Sequence, residues 1–584
     1  MEGKPCLQIG LDELARGVPE TLRQMLAQQV ERLSGEEQQI LEAASVAGIE
    51  YSAAAVAAAL DASIEVVETQ CNALVRGGQF IRHQGAETWI DKTVTERYGF
   101  VHALYHETLY NRISANRRVR WHRQIGARLE LGYGTQAREM AAELAAHFVR
   151  GQDVARAVQY LRYAGDQALQ RSAYQEASTH FTHGIELLPT LPDTVERTQL
   201  TIDLCLALRL ALHPLGEYER VQEYLCQAEP LAKALGDDQR CGRVAVYMAS
   251  CFRMLGNHEG AMAASQRALA MAVDDIAQQV VPRHLLGQSY YSMGDFRRAQ
   301  ELFRQNIALL TGNRRLESFG LSYLPAVGSL TYLVFCLAYV GEFAEAREHA
   351  EASLHLAEQA QHPMSLVFAH HRLSRVYFEK GDLQQAIPGL QRVIERCRGW
   401  HIRDGLPNHL SMLGYAYVLC GRVAEGLPLL ERAVEESEAM KARFHQAMRY
   451  ARLSRGYLMV GRLSEAGTYA QRAYDLACTH RERPAEAWIL QLRGDFEVQN
   501  TFPDVAKAEG YHQQALALAN RLGMRPLRGH CHHSLGTLFS QMGRIGDARA
   551  ELSAALALYR DMAMGSAQVE AALVQLSRLA SAER

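Results

Sequence analysis

A motif that returns along the chain at a nearly constant spacing constrains its fold more than any other property of the sequence. A glycine, usually followed by a polar and then a hydrophobic residue, stands five places before an alanine. It occurs as Gly256-Asn257 with Ala261, Gly294-Asp295-Phe296 with Ala299, and Gly341-Glu342-Phe343 with Ala346. Gly381-Asp382-Leu383 with Ala386, Gly461-Arg462-Leu463 with Ala466, and Gly543-Arg544-Ile545 with Ala548 continue the series. Looser copies start at Gly216, with Val221, and at Gly421, with Gly426. The same forty-residue step separates Gly216 from Gly256, Gly381 from Gly421 and Gly421 from Gly461. Gly461 and Gly543 stand about two such steps apart, with one degenerate copy between.

Each copy has a physical logic. Before the glycine, apolar and small residues fall at helical spacing: Leu286, Gly287 and Tyr290; Leu373, Ser374 and Tyr377; Leu413, Gly414 and Tyr417; Leu453, Ser454 and Tyr457; Leu535, Gly536 and Phe539. The small residue admits a neighbouring helix, and the aromatic fills the gap one turn later. The glycine ends this first helix, because a left-handed cap carries no steric penalty there. The alanine opens the close contact of a second helix, whose large residue follows four places on (Phe303, Leu390, Leu430, Leu552). Such a hairpin cannot bury its own apolar face and must stack on the next one.

The pattern resembles the tetratricopeptide repeat, at a period longer than the usual value of about 34 residues. The resemblance runs from about Glu196 to Ala580, with a more irregular helical lead-in from Gln136. Extra residues fall between hairpins, as at Arg398 to Pro407. The weakest copy is Leu492 to Leu522, where Asn500-Thr501-Phe502-Pro503 replaces the glycine turn. The expected fold is all-α: a right-handed tetratricopeptide-type α-solenoid superhelix, preceded by a small winged-helix-like domain.

Composition agrees with a helical protein. The 584 residues are 48% hydrophobic and 22% charged, with only 15 prolines, which supplies a core and excludes global disorder. Lys and Arg number 62 against 65 for Asp and Glu, so the chain lacks the basic excess of a dedicated nucleic-acid binder. The 11 cysteines are scattered and form no Cys-x-x-Cys, which suggests neither a disulfide framework nor a zinc site. Residues 1–10 carry no apolar signal core, and the alanine-rich stretch 43–60 is too weak for a membrane span. A cytoplasmic location is expected.

The stretch before Gln136 differs. Val18-Pro19-Glu20-Thr21 opens a helix through Leu22, Leu26, Val30 and Leu33. Ser34, three places before Glu37, has the spacing of a capping box and starts a second helix over 38–46. An alanine-rich segment follows at 52–60, then a helix from Ser63 to Gly77-Gly78. Strand-like runs at Phe80–Arg82 and Tyr98–Val101 flank a polar turn at Gly85. Helices followed by a hairpin give the winged-helix order. The helix that would read DNA carries Glu65 and Glu68 against Arg76, so it would repel phosphate, and a packing module is expected instead of a DNA reader.

Several segments bear a second resemblance. They are Val18-Pro19-Glu20-Thr21-Leu22-Arg23, Leu41-Glu42-Ala43-Ala44-Ser45-Val46-Ala47-Gly48, Phe100-Val101-His102-Ala103-Leu104-Tyr105, the basic run Arg117 to Arg128 around Trp121-His122, and Ala145-Ala146-His147-Phe148. Together they resemble the region that follows the ATPase module in large bacterial signal-transduction ATPases of the STAND type. Ala515 to Ala519, Arg525-Pro526-Leu527 and Leu558-Tyr559-Arg560 fit the same family's repeat array. The resemblance implies a sensor arm working beside an ATPase, in a family where some members carry adenylate or guanylate cyclase or DNA-binding domains. This sequence contains no G-x-x-x-x-G-K-[ST]: its one Gly-Lys pair, Gly3-Lys4, is followed by Pro5, so the phosphate cradle is missing. The chain is expected to start just after the ATPase module, as a split product or a stand-alone descendant.

Catalytic motifs are equally lacking: there is no G-x-S-x-G, and His106-Glu107 continues as Thr108-Leu109-Tyr110 without a second histidine. His530-Cys531-His532-His533 and His370-His371 are the nearest approach to metal ligands, and both sit on repeat helices where packing accounts for them. No cofactor and no metal are expected. What remains is surface. The first helices of stacked hairpins line the concave face, and the offsets beside the packing positions name Arg253, His284, Gln288, Tyr291, Phe335, His371, Arg375, Phe378, Asn408, Tyr415, Arg455 and His533 as a partner groove. Aromatic, arginine and amide groups suit a protein or peptide ligand. The basic run at Arg117, Arg118, Arg120 and Arg123 reads as a solvated helix face, or as a contact for an acidic partner or an ATPase module in cis or trans.

Four segments are expected: 1–17, a remnant or linker; 18–135, winged-helix-like with following helices; 136–195, the lead-in; and 196–584, a superhelix of about nine hairpins. The expected function is a non-catalytic interaction and signal-sensing scaffold. The alternatives are a DNA-binding transcription regulator and a fragment of an ATP-binding, cyclase-like protein.

Overall fold

The computed structural model describes residues 20–582 except 172, 273, 274, 320, 322, 401, 403, 404, 442 and 501. The expected segment 1–17, with Val18 and Pro19, lies outside the described residues. The chain divides into two compact units between Ala211 and Leu212. No helix among the described residues is long and apolar enough to cross a membrane.

The first unit runs α1 (Glu20–Glu31), α2 (Gly35–Ala47), β1 (Glu50–Ser52), α3 (Ala53–Leu60), α4 (Ile64–Gly77), β2 (Ile81–Thr88) and β3 (Val94–Phe100). It continues through α5 (Ala103–Arg112), α6 (Ala115–Tyr133), α7 (Ala141–Arg150), α8 (Val154–Gln170), α9 (Tyr174–Leu187) and α10 (Val195–Leu212), which ends at the division. The capping box forms: Ser34 Oγ accepts from the Glu37 N–H at 3.3 Å, and the Ser34 N–H donates to Glu37 Oε2 at 2.9 Å. The strands make one antiparallel sheet in the order β1-β3-β2, with Tyr51 opposite Tyr98 and Ile81 opposite Phe100. The hairpin is longer than the apolar runs suggest, and β1 is an addition, since so short a strand between helices shows no alternating pattern. Leu41, Ile81, Tyr98, Leu109, Trp121 and Phe148 are fully buried in one core to which both the sheet and the helices contribute.

The second unit is a tetratricopeptide-type solenoid. After α11 (Tyr218–Leu235) the described residues form eight helical hairpins. They are α12 (Asp238–Met254) with α13 (His258–Met271), α14 (Ile276–Met293) with α15 (Phe296–Leu309), α16 (Pro325–Val340) with α17 (Phe343–Ala360), and α18 (Pro363–Lys380) with α19 (Leu383–Gly399). Next are α20 (Leu406–Leu419) with α21 (Val423–Ala439), α22 (Gln446–Met459) with α23 (Leu463–Thr479), α24 (Arg483–Gln499) with α25 (Val505–Leu522), and α26 (Arg525–Gln541) with α27 (Ile545–Asp561). A further helix, α28 (Ser566–Ala582), follows.

The turn motif explains itself in atomic detail. Gly256, Gly294 and Gly381 have φ of +79°, +89° and +85°, where a side chain would be strained. The polar residue after each one caps the next helix: Asn257, Asp295 and Asp382 accept hydrogen bonds from the backbone N–H of Gly260, Arg298 and Gln385. In three other copies the cap position holds arginine, which reaches the acid of the first turn instead. Arg422 pairs with Glu425, Arg462 with Glu465 and Arg544 with Asp547, at 2.7–2.8 Å. Ala261, Ala299, Ala346, Ala386, Ala466 and Ala548 are fully buried, as are Phe303, Leu390, Leu430 and Leu552. A Cβ on Gly287 would strike the Phe303 ring, and one on Gly536 would strike Leu552, so the small residues stand where helices approach most closely.

Besides stacking on its neighbours, each early hairpin touches the hairpin five places later: α14 meets α24, and α16 meets α26. At the turns this contact is tight. Gly216 abuts the Met440 carbonyl, Gly256 the His480 ring, Gly294 the Leu522 side chain and Gly341 that of Met562. The N–H of Gly565 donates to the Lys380 carbonyl at 2.7 Å. Glu342 pairs with Arg525 at 2.9 Å, Glu259 pairs with Arg481, and the buried His258 and Glu482 lie 3.6 Å apart. The solenoid therefore winds back on itself along a continuous seam.

Candidate functional site

Winding back leaves a cavity of about 600 Å³ in the second unit. The first helices of six hairpins, α16 to α26, wall it with residues spaced three or four apart, which share one helix face. These include Arg375, Phe378 and Glu379 on α18, Arg452 and Arg455 on α22, Gln491, Asp495 and Val498 on α24, and His530, His533, Thr537 and Gln541 on α26. Tyr339, Tyr415, Met448 and Trp488 complete the aromatic and apolar wall, and α25 and α28 add His512 and Gln568.

Asp495 sits at the centre of its polar network. Its carboxylate accepts from Arg455 Nη1 at 2.7 Å, Gln491 Nε2 at 2.9 Å and Ser534 Oγ at 3.4 Å, with His512 Nε2 3.7 Å away. Arg375 donates to the Tyr339 hydroxyl and to Glu379 Oε1, both at 3.1 Å, and lies over the Phe335 ring at 4.5 Å. Burial pushes His530 down to about 4, with His533 adding to the effect, and burial also lowers His512 and His533. These imidazoles are neutral at pH 7. His512 Nδ1, His533 Nε2 and Gln568 Oε1 are buried without a hydrogen-bond partner among the described residues. The arrangement offers aromatic faces, guanidiniums and unsatisfied polar atoms to a bound molecule.

Five of the twelve groove residues named from sequence line this cavity: Arg375, Phe378, Tyr415, Arg455 and His533. Five others are corrected to interior packing. His284, Gln288, Tyr291, Phe335 and His371 are buried: His284 and His371 pack on adjacent hairpins, against Tyr332 and His409, while Tyr291 and Phe335 share a core with later hairpins. The Tyr291 ring lies 5.5 Å from that of Phe335, in a cluster that also holds Leu490 and Leu527. Arg253 stacks on Phe444 at 4.3 Å, and Asn408 is half-buried outside the cavity. The histidine cluster diverges: His530 and His533 face the cavity, Cys531 is fully buried, and His532 turns away to Glu551 at 2.6 Å.

Sequence reasoning missed Arg452, Asp495, Gln491, Trp488 and His512. A signal for the first was present: Arg372-x-x-Arg375 recurs as Arg452-x-x-Arg455, the same inner positions two repeats on. Asp495 stands one repeat beyond Arg455 and pairs with it.

In the first unit a cavity of about 690 Å³ is walled in part by His106, Tyr110, His122, Glu143 and His147. His122 Nδ1 lies 3.1 Å from His147 Nδ1, and burial pushes the two rings to about 3 and about 4. The basic run of α6 is largely engaged within the unit. Arg117 pairs with Glu42 at 3.3 Å, Arg118 lies over Tyr110, and Arg123 donates twice to the Gly151 carbonyl.

No known protein-family pattern and no curated protein matches the chain. Among solved structures it is similar to a Rap protein complexed with competence and sporulation factor, at 12% identity over 62% of this chain and 98% of that one, with a TM-score of 0.47. It is similar to a signal-transduction ATPase with numerous domains (STAND) that carries a tetratricopeptide repeat sensor, from Pyrococcus horikoshii. That likeness has 12% identity over 86% of this chain and 66% of the other, with a TM-score of 0.35. Aspartyl phosphate phosphatase F from Bacillus subtilis is similar at 13% identity over 61% of this chain and 91% of that one, with a TM-score of 0.38.

Proposed function

We propose that the chain is a non-catalytic interaction and sensing protein whose second unit holds a polypeptide segment in its cavity. One observation carries this reading: six hairpins contribute to a site of about 600 Å³ whose wall combines aromatic rings, guanidiniums and buried polar atoms with no hydrogen-bond partner among the described residues. Desolvated aromatic and arginine anchors dominate peptide and protein recognition. The first unit, through its resemblance to the region behind the ATPase module of STAND-type proteins, would couple occupancy of the solenoid to an ATPase in cis or trans. On this view the chain is the sensor arm of such a switch. DNA recognition by α4 is not favoured, since Glu65 and Glu68 lie on that helix and three arginines of α6 are engaged internally.

The reading is tested with a pool of random hexapeptides passed over the immobilised full chain, the retained peptides being counted by mass spectrometry. Phe378 and Tyr415, whose rings lie 5.9 Å apart on the cavity wall, are changed together to leucine, which keeps much of their apolar volume. Aromatic anchors contribute about 2 kcal/mol or more each, so retention should fall at least tenfold while circular dichroism stays the same. Undiminished retention by the double variant would remove the cavity from consideration.

A further inference from the structure

We infer that the occupant of this cavity is an acidic peptide segment, one of whose carboxylates pairs with Arg452. The inference rests on the peptide-binding reading above and specifies the charge of the ligand.

Three guanidiniums and two carboxylates line the cavity. Glu379 matches Arg375 at 3.0 Å, and Asp495 matches Arg455 at 2.7 Å. Arg452 is left over. It is 5% exposed and has no ion-pair partner among the described residues. Its one hydrogen bond among the described residues runs from Nη1 to Ser411 Oγ, a long 3.4 Å. Arg372, buried behind the wall, lies over Phe335 at 4.0 Å and also has no ion pair among the described residues. The surrounding imidazoles add no negative charge. Burial keeps His371, His409 and His445 neutral, and nearby guanidiniums, Arg372 among them, reinforce the effect. Glu379 lends Arg452 part of its field but is already paired with Arg375, so the described wall residues leave the interior net positive.

A buried charge without a partner is costly, and a carboxylate fits the planar fork of a guanidinium with two parallel hydrogen bonds. Phe378, Tyr415, Met448 and Trp488 beside it supply apolar surface that a small inorganic anion would leave uncovered. The volume lies within the range of about 300–1,000 Å³ of sites that enclose most of a drug-sized ligand, enough for one or two anchoring side chains of a peptide.

Three hexapeptide pools distinguish the possibilities, with glutamate, glutamine or lysine fixed at the third place and the rest random. The full chain should retain the glutamate pool at least about tenfold better than the glutamine pool. Arg452→Gln should abolish that preference, and Arg452→Lys should keep part of it. Arg452→Met should raise the melting temperature of the empty chain, because an unmatched buried charge is removed; a guanidinium present for packing alone would make it fall. Equal retention of the glutamate and glutamine pools overturns the acidic occupant and leaves the peptide reading standing. Retention of no pool overturns both, and a melting temperature raised by glutarate in that case would assign the site to a small dianion instead.

Discussion

His371 and His409 meet inside the second unit with their Nδ1 atoms 2.8 Å apart. One ring must donate there and the other accept, so both cannot be protonated together. Burial pushes His409 to about 3 and lowers His371 well below the ordinary value, and burial pushes His284 to about 3 as well. An unfolded histidine takes up its proton near pH 6.5. The unfolded chain therefore gains protons first on acidification. The contribution of these rings to stability is complete above about pH 6.5 and is lost progressively as the pH falls toward 3. The melting temperature should be level above pH 7 and decline between pH 6.5 and 4. His409→Gln should make that decline shallower, by up to about 1.4 kcal/mol per pH unit. A wild-type melting temperature that rises over the same interval would contradict the account. At this scale the sequence was only partly legible. The helical offsets of Arg375, Phe378, Tyr415, Arg455 and His533 point into the cavity. Those of Tyr291 and Phe335 are the same kind of position, yet a second layer of helices covers them, and no single repeat encodes that cover.

Between helices, the glycine-turn motif was legible nearly to the atom, because its parts act locally. Glycine stops one helix, and aspartate, asparagine or an arginine–acid pair starts the next. Where the glycine is missing, α24 runs to Gln499, Asn500 takes an extended backbone at φ −64°, and Asp504 caps α25 by accepting from the Lys507 N–H at 3.0 Å. The strand β1 was not legible, since its pairing with β3 is set by distant residues. The tight contact of each hairpin gives a direct test. Ala386 is fully buried against its partner helix, and Ala386→Leu should overpack the contact and lower stability by roughly 1–3 kcal/mol. Urea denaturation of the two chains measures it, and coincident midpoints would contradict the pairing of α18 with α19.

On the scale of the whole solenoid, the pitch was invisible in the sequence. Periodicity reveals that hairpins stack, but the angle between them, which decides whether later hairpins reach earlier ones, comes from many small contacts. An open repeat array is held by neighbours alone. Here Met562 packs against Gly341 and is buried there. Met562→Asp should therefore speed amide hydrogen exchange not only around residues 559–566 but also at the turn 340–343, far earlier in the chain. Exchange altered near Met562 alone would mean that the seam carries no stability.

The constant offset of five hairpins between seam partners has an evolutionary corollary. Arrays of this kind usually lengthen or shorten by whole units with little harm. In this one, inserting or deleting a unit between Gly341 and Met562 would carry every later turn past its mate and set Arg525 away from Glu342. The tally of units is thereby frozen, while the residues facing the cavity remain free to drift toward new ligands.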